Sequence, residues 1–281
     1  MRARHRSVAL FCALLTWSTG ARADQRQGEE RIDYTAYTLR RNEFSIGVGA
    51  ASYGVLDQLT IGTYVLPWFA FPVLRSPVAS GYVKLRDWFD GAVSVALRAG
   101  FVYLNASGIS AELSDNASSD VGFLALPVEL SASWRIRPEV SQSLQLSWVH
   151  ARVSGELPRG ATVDTGLGGV SSATSVALGS LTELRLTRVT ALFLRGTLLL
   201  DLSDIAVRGQ YEREGTQVAA RLGARPDQPA IVGNVIPGIH FSWSHVNLQL
   251  GLGVGTNWLP FVGLPTQVVT VVPDADFYVR F

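Results

Sequence analysis

The stretch VNLQLGLGVGTNW, residues 246–258, decides how this chain is read. Val246, Leu248, Leu250, Leu252, Val254 and Trp258 fall on one parity. Asn247, Gln249, Gly251, Gly253, Gly255 and Asn257 fall on the other. A helix would scatter the two sets around its circumference, whereas a pleated strand sends them to opposite faces. One face is then apolar and the other small or polar.

Working outward, the same sorting recurs. Phe44, Ile46, Val48 and Ala50 alternate with Ser45, Gly47, Gly49 and Ala51. Leu59, Ile61, Val65 and Phe69 alternate with Gln58, Thr60, Gly62 and Tyr64. Val93, Val95, Leu97, Phe101 and Tyr103 oppose Ser94, Ala96, Arg98 and Gly100. Leu124, Leu126, Val128, Leu130 and Trp134 oppose Ala125, Glu129, Ser131 and Ser133. Val176, Leu178, Leu184 and Leu186 oppose Gly179, Glu183 and Arg185, and Leu192, Leu194, Leu198 and Leu200 oppose Arg195, Thr197 and Asp201.

The chain has 281 residues, 47% of them hydrophobic and 17% charged, with a formal net charge of +1. That composition excludes a disordered tail protein. It also excludes a nucleic-acid binder, because no Lys/Arg stripe meets a phosphate backbone. Arg2, Arg4 and Arg6 precede an apolar run, and Ala21-Arg22-Ala23 follows it. This order reads as a secretory signal peptide, residues 1–23, cut after Ala23 and leaving 24–281 as one domain. The run falls short of the ~20 apolar residues of a spanning helix. Cys12, the only cysteine, leaves with the signal, so the mature chain is expected to hold no disulfide.

Alternation alone also suits a soluble sandwich. Two features favour a transmembrane barrel. The polar face is rich in glycine and serine and carries charges at mid-strand. Trp68, Phe69, Trp88, Phe89, Trp134, Trp243, Trp258 and Phe281 gather near strand ends, where interfacial girdles sit. In lipid, strands must close so that every backbone group finds a partner.

Ala275, Phe277, Val279 and terminal Phe281 alternate with Asp274, Asp276, Tyr278 and Arg280. This last strand resembles the C-terminal signature of outer-membrane proteins of Gram-negative bacteria. The resemblance implies a bacterial outer-membrane location. It also implies recognition of the strand ending at Phe281 by the barrel-assembly machinery. Residues Thr38-Leu39 and the run from Tyr53 to Thr63 resemble a hairpin of uncharacterised bacterial outer-membrane proteins, and that likeness carries no chemistry.

Tight connections at 53–57, 87–91, 136–141, 187–190 and 243–246 alternate with long ones at 70–77, 107–119, 156–171, 202–228 and 259–267. This is the turn-and-loop pattern of the class. It delimits eleven strands, the first beginning near Glu43. An even count requires one more, placed at 32–39 with Arg40-Arg41-Asn42 as a short outer turn. The expectation is an all-β, antiparallel up-and-down barrel of 12 strands, with 10 as the alternative. Residues 205–222 are expected to form a hairpin within the longest loop.

Lys84, Arg86, Arg98, Glu129, Glu183, Arg185, Arg195, Asp201, Asp276 and Arg280 are expected to face the lumen. Basic groups exceed acidic ones among them, which favours anions or polar solutes if the lumen is open. An ion-paired plug is the other reading, since small barrels are filled by side chains and large ones hold channels. The expected function is a passive pore or small-solute channel. A structural or adhesive barrel acting through its loops is the alternative, and a lipid-modifying enzyme a third. His240 with Ser242, and His150 with Ser154, are the only pairs resembling a nucleophile and base. Serine is so common on these faces that such pairs arise by chance, so no enzyme, no metal site and no cofactor is expected. Asn105 and Asn116 head Asn-x-Ser triplets and suit solvated loops. Outer-membrane lipid is the expected partner, and nucleic acid is not.

Overall fold

The computed structural model describes residues 33–69, 78–87, 92–105, 120–157, 165–201, 205–213, 216–224, 230–243, 245–256 and 269–281. The first strands are β1 (Phe44–Gly47), β2 (Ala50–Leu56), β3 (Leu59–Tyr64) and β4 (Val78–Arg86). Longer ones follow as β5 (Val93–Asn105), β6 (Asp120–Arg137), β7 (Val140–Leu157), β8 (Thr165–Arg185) and β9 (Thr190–Asp201). After β10 (Ile205–Arg213) and β11 (Thr216–Ala224) come β12 (Ala230–Ser242), β13 (Val246–Thr256) and β14 (Val269–Arg280).

Each strand runs antiparallel to its neighbour. β1 to β9 pair in sequence, β9 pairs with β12, and β14 returns to β1. The result is a closed 12-stranded barrel. Residues 175–185 of β8 pair with β9, while 165–167 pair with β10 instead. The β10–β11 hairpin therefore forks off the ring rather than joining it, as expected for 205–222.

The outer face is the apolar one. Leu178, Leu198 and Val254 are 52%, 54% and 60% exposed, whereas their neighbours Ala177 and Leu199 are 6% and 2% exposed. Exposed Leu, Val, Ile and Phe continue around the ring. Soluble monomers rarely show apolar patches above a few hundred Å². A belt of this extent matches acyl chains instead. At the short-turn rim, Trp243 stacks on Phe241 and Phe281 on His245, with ring centroids 5.9 and 6.1 Å apart. Trp88, Phe89 and Trp258 lie outside the described residues.

Two features correct the sequence reading. Residues 33–39 form no strand; Ile32 lies outside the described residues. The single strand expected from Glu43 to Tyr53 is instead split into β1 and β2 by a turn at Val48 and Gly49. The count of 12 holds because this split supplies the strand that 32–39 does not. The inner face is also less uniformly polar than its glycines and serines imply. Leu181, Phe193 and Ile236 pack together inside, joined by Val272, and Ala177, Leu199 and Val232 form a second inner cluster.

Three prolines sit within ring strands, where each deletes a ladder donor. The β5–β6 ladder skips Pro127, between Ala99↔Val128 and Val102↔Ala125. The β12–β13 ladder skips Pro237, between Val235↔Val254 and Gly238↔Gly251. Pro273 lies on β14 beyond the reach of β1.

Candidate functional site

Residues 33–41, expected to be a wall strand as far as Leu39 and a turn beyond it, run inside the barrel as a strap across its short-turn half. Ala36 and Leu39 are fully buried. The strap binds the inner face through its backbone. The Lys84 ammonium donates to the Thr35 carbonyl at 2.8 Å, and the Ser131 hydroxyl donates to the same oxygen at 3.0 Å. The Ala36 amide donates to Ser133 Oγ at 2.7 Å, and Leu39 to Thr60 Oγ1 at 2.9 Å. Thr38 Oγ1 donates to the Asp57 carbonyl at 2.6 Å. A buried lysine with no acceptor would be expensive. Here a carbonyl that no ladder uses supplies the acceptor.

Two positive-φ residues bracket the strap, Tyr34 at 64° and Asn42 at 65°. Asparagine accepts that region, and tyrosine enters it only under constraint. The constraint on Tyr34 is visible, since the Arg195 guanidinium lies 4.6 Å from its ring centroid. Gly54 in β2 is the point of closest crossing. A Cβ there would collide with the Arg40 carbonyl, so only glycine lets the strap pass.

Three ion-paired centres follow. Arg98 on β5 stands 3.6 Å from Asp33 of the strap and 4.0 Å from Glu129 on β6. Its guanidinium lies 4.0 Å from the Tyr82 centroid and 5.1 Å from that of Tyr64. Arg195 on β9 bonds Asp274 on β14 at 3.0 Å, and Gln249 donates to the same carboxylate. Arg280 meets Glu43 at 2.8 Å, and Glu43 also accepts the Arg40 amide at 2.8 Å.

The expected lumen residues are thus placed as follows. Lys84, Arg98, Glu129, Arg195 and Arg280 are inward and engaged as described. Arg86 shares the face of Lys84 at the short-turn rim, as Glu183 and Arg185 share that of Leu181. Asp276 lines a polar cavity with Asp33, Ser45, Gly47, Ser52 and Tyr278. Asp201 ends β9, paired with Ser175 and Ala230, and its side chain lies outside what is described. Sequence reasoning missed Asp33 and Glu43, because 32–39 was taken for wall. It placed Asp274 on the inner face without singling it out as the partner of Arg195.

His150 faces outward, stacked on Trp148 and bonded through Nδ1 to Thr174 at 3.0 Å, rather than to Ser154. His240 lies inside beside Tyr278, their ring centroids 6.4 Å apart. Among the described residues, no group of three or more His, Cys, Asp or Glu gathers as metal ligands do.

No family model matches this chain, and no curated protein matches it. Solved structures do. The translocator domain of autotransporter NalP from Neisseria meningitidis is 12% identical, covering 85% of this chain and 83% of its own, with a TM-score of 0.43. The ferric yersiniabactin uptake receptor FyuA from Yersinia pestis is 11% identical over 85% of this chain, with a TM-score of 0.40. The match spans only 42% of that receptor. The monoaromatic hydrocarbon channel CymD is 8% identical over 85% of this chain and 86% of its own, with a TM-score of 0.32. Likeness at this level adds nothing to what the strand pairing shows.

Proposed function

We propose that the chain is a bacterial outer-membrane barrel that passes small solutes, held closed by its own N-terminal strap. The observation that carries this reading is the nature of the closure. The short-turn half is filled by one backbone segment resting on hydrogen bonds from Lys84, Ser131, Ser133 and Thr60. Wall side chains alone fill the smallest barrels, and this ring also takes in a backbone segment. Here a linear segment lies in that space, fastened to the wall by individual side-chain bonds rather than by a strand ladder. Arg98, Arg195 and Arg280 each face a carboxylate, so the lumen bias toward anions is weaker than a count of charges suggests. The short turns face the periplasm on this reading, and the strand ending at Phe281 is the handle for the barrel-assembly machinery.

The test is conductance in planar bilayers. The intact protein is expected to be quiet, with rare steps. A Lys84→Met, Ser131→Ala, Ser133→Ala variant, its strap unfastened, is expected to show frequent steps. Reversing the charge of Arg98 is then expected to shift their ion preference toward cations. Silence from both proteins, each verified as folded by a heat-shifted gel band, sinks the channel reading and leaves the structural barrel.

A further inference from the structure

The ring wall is not of even height. β1, β2 and β3 hold four, seven and six residues. The other ring strands run from nine in β4 to 21 in β8. A barrel strand needs about 9–11 residues to cross the hydrocarbon layer. At ~3.4 Å per residue β1 is about 14 Å long, against an apolar band ~25 Å tall. Among the described residues, three adjacent strands therefore stop partway up between β14 and β4.

The step leaves an edge. β14 pairs with β1 only from Tyr278 to Arg280, yet with β13 from Val269 to Val279. Phe44 exchanges both backbone bonds with Phe281, and the Val48 amide donates to the Phe277 carbonyl. Backbone groups two residues apart point the same way, so odd positions of β14 face the β1 side. At Val271, Pro273 and Ala275 no described strand stands opposite. Proline at 273 removes one amide that would point into the gap. Unpaired backbone is tolerated at membrane depth only where it borders protein or water. The polar cavity lined by Asp33, Ser45, Ser52 and Asp276 lies at the foot of this gap.

The rim has the opposite character. A Cβ on Gly49 would meet nothing within 4 Å. Val48 is half exposed, and a helical turn at 66–69 turns Leu66, Trp68 and Phe69 outward, with the Trp68 indole tied to Thr63 at 2.9 Å. An apolar rim thus opens from the lipid side onto a polar floor.

We propose that this gap is a lateral portal through which an amphipathic small molecule passes between the hydrocarbon layer and the lumen. Its apolar body contacts the rim, and its polar head meets the serine and aspartate floor. An added strand from a partner fits less well, because Pro273 withholds a donor that such a strand would need. The portal follows from strand lengths and does not require axial conduction, so a silent bilayer trace leaves it standing.

The test places a bimane label at Gly49→Cys in a Cys12→Ser background, in lipid vesicles. Leu178→Cys, on the tall part of the outer face, is the control. Two quenchers are used: a nitroxide on the acyl chain and aqueous iodide. The Gly49 label is expected to lose emission to both, and the Leu178 label to the nitroxide alone. Ala50→Cys, which lines the same cavity, gives a second position should the first fail to fold. Quenching at the gap by the nitroxide alone, or by neither, overturns the portal; the latter result would mean that chain or partner covers it.

Discussion

β6–β8 and β1–β3 are three-stranded pieces of one wall, built on different terms. β6 and β7 are each 18 residues long and pair almost from end to end. Their ladder alone satisfies the backbone. β1 has three register pairs on each side. What it lacks in ladder is made up by the residues that lead into it. The Asn42 amide donates to the Gly54 carbonyl at 2.7 Å, and the Gly54 amide donates to Glu43 at 2.8 Å. Glu43 then joins the strap to Arg280 at the end of β14. The tall wall is held by long ladders, and the low wall by short ones tied off through Asn42, Glu43 and Arg280.

Mutation can break that contrast. The largest effect is expected from Arg280→Met, which strands Glu43 in a site where both side chains are largely buried. Removing one partner of a buried pair costs about 3–5 kcal/mol. Urea unfolding in detergent micelles should show it, and a loss below ~1 kcal/mol would mean the seam does not depend on this pair. Next comes Gly54→Val, which forces the strap off β2. Overpacking of this kind costs about 1–3 kcal/mol, and the intact band on an unboiled gel should weaken. The smallest effect is expected from replacing 205–224 by a short Gly-Ser link. Among the described residues the hairpin's ladder to the ring is confined to residues 165–167 of β8, so the unfolding midpoint should stay within ~0.5 kcal/mol of the parent. A large loss there would show that the tall wall also leans on an outside element.

The wall was legible in the sequence because alternation states directly which side chains meet lipid. Val93, Leu97, Leu124, Leu130, Leu192 and Leu250 are all outward, as their parity requires. The strap was not legible, because its contacts span long intervals of chain; Ala36 and Ser133 are 97 residues apart. Its sequence offered a warning nonetheless, since residues 32–39 sort apolar from polar on neither parity. The split between β1 and β2 left a clearer trace. Phe44, Ile46 and Val48 point outward on even numbers and Tyr53 on an odd one, so the phase reverses between them. The inner apolar clusters around Phe193 were hidden because alternation reports the outer face, and Phe193 and Leu199 sit on the parity of Arg195. Asp33 and Asp274 could be assigned to their arginines only once the ring was closed.

The pairing of Phe44 with Phe281 has a consequence for assembly. Both backbone groups of Phe281 are spent on Phe44, the first residue of β1, in a junction only a few pairs long. A chain that paired with this end of β14 before the ring closed would occupy the site that Phe44 takes in the closed barrel.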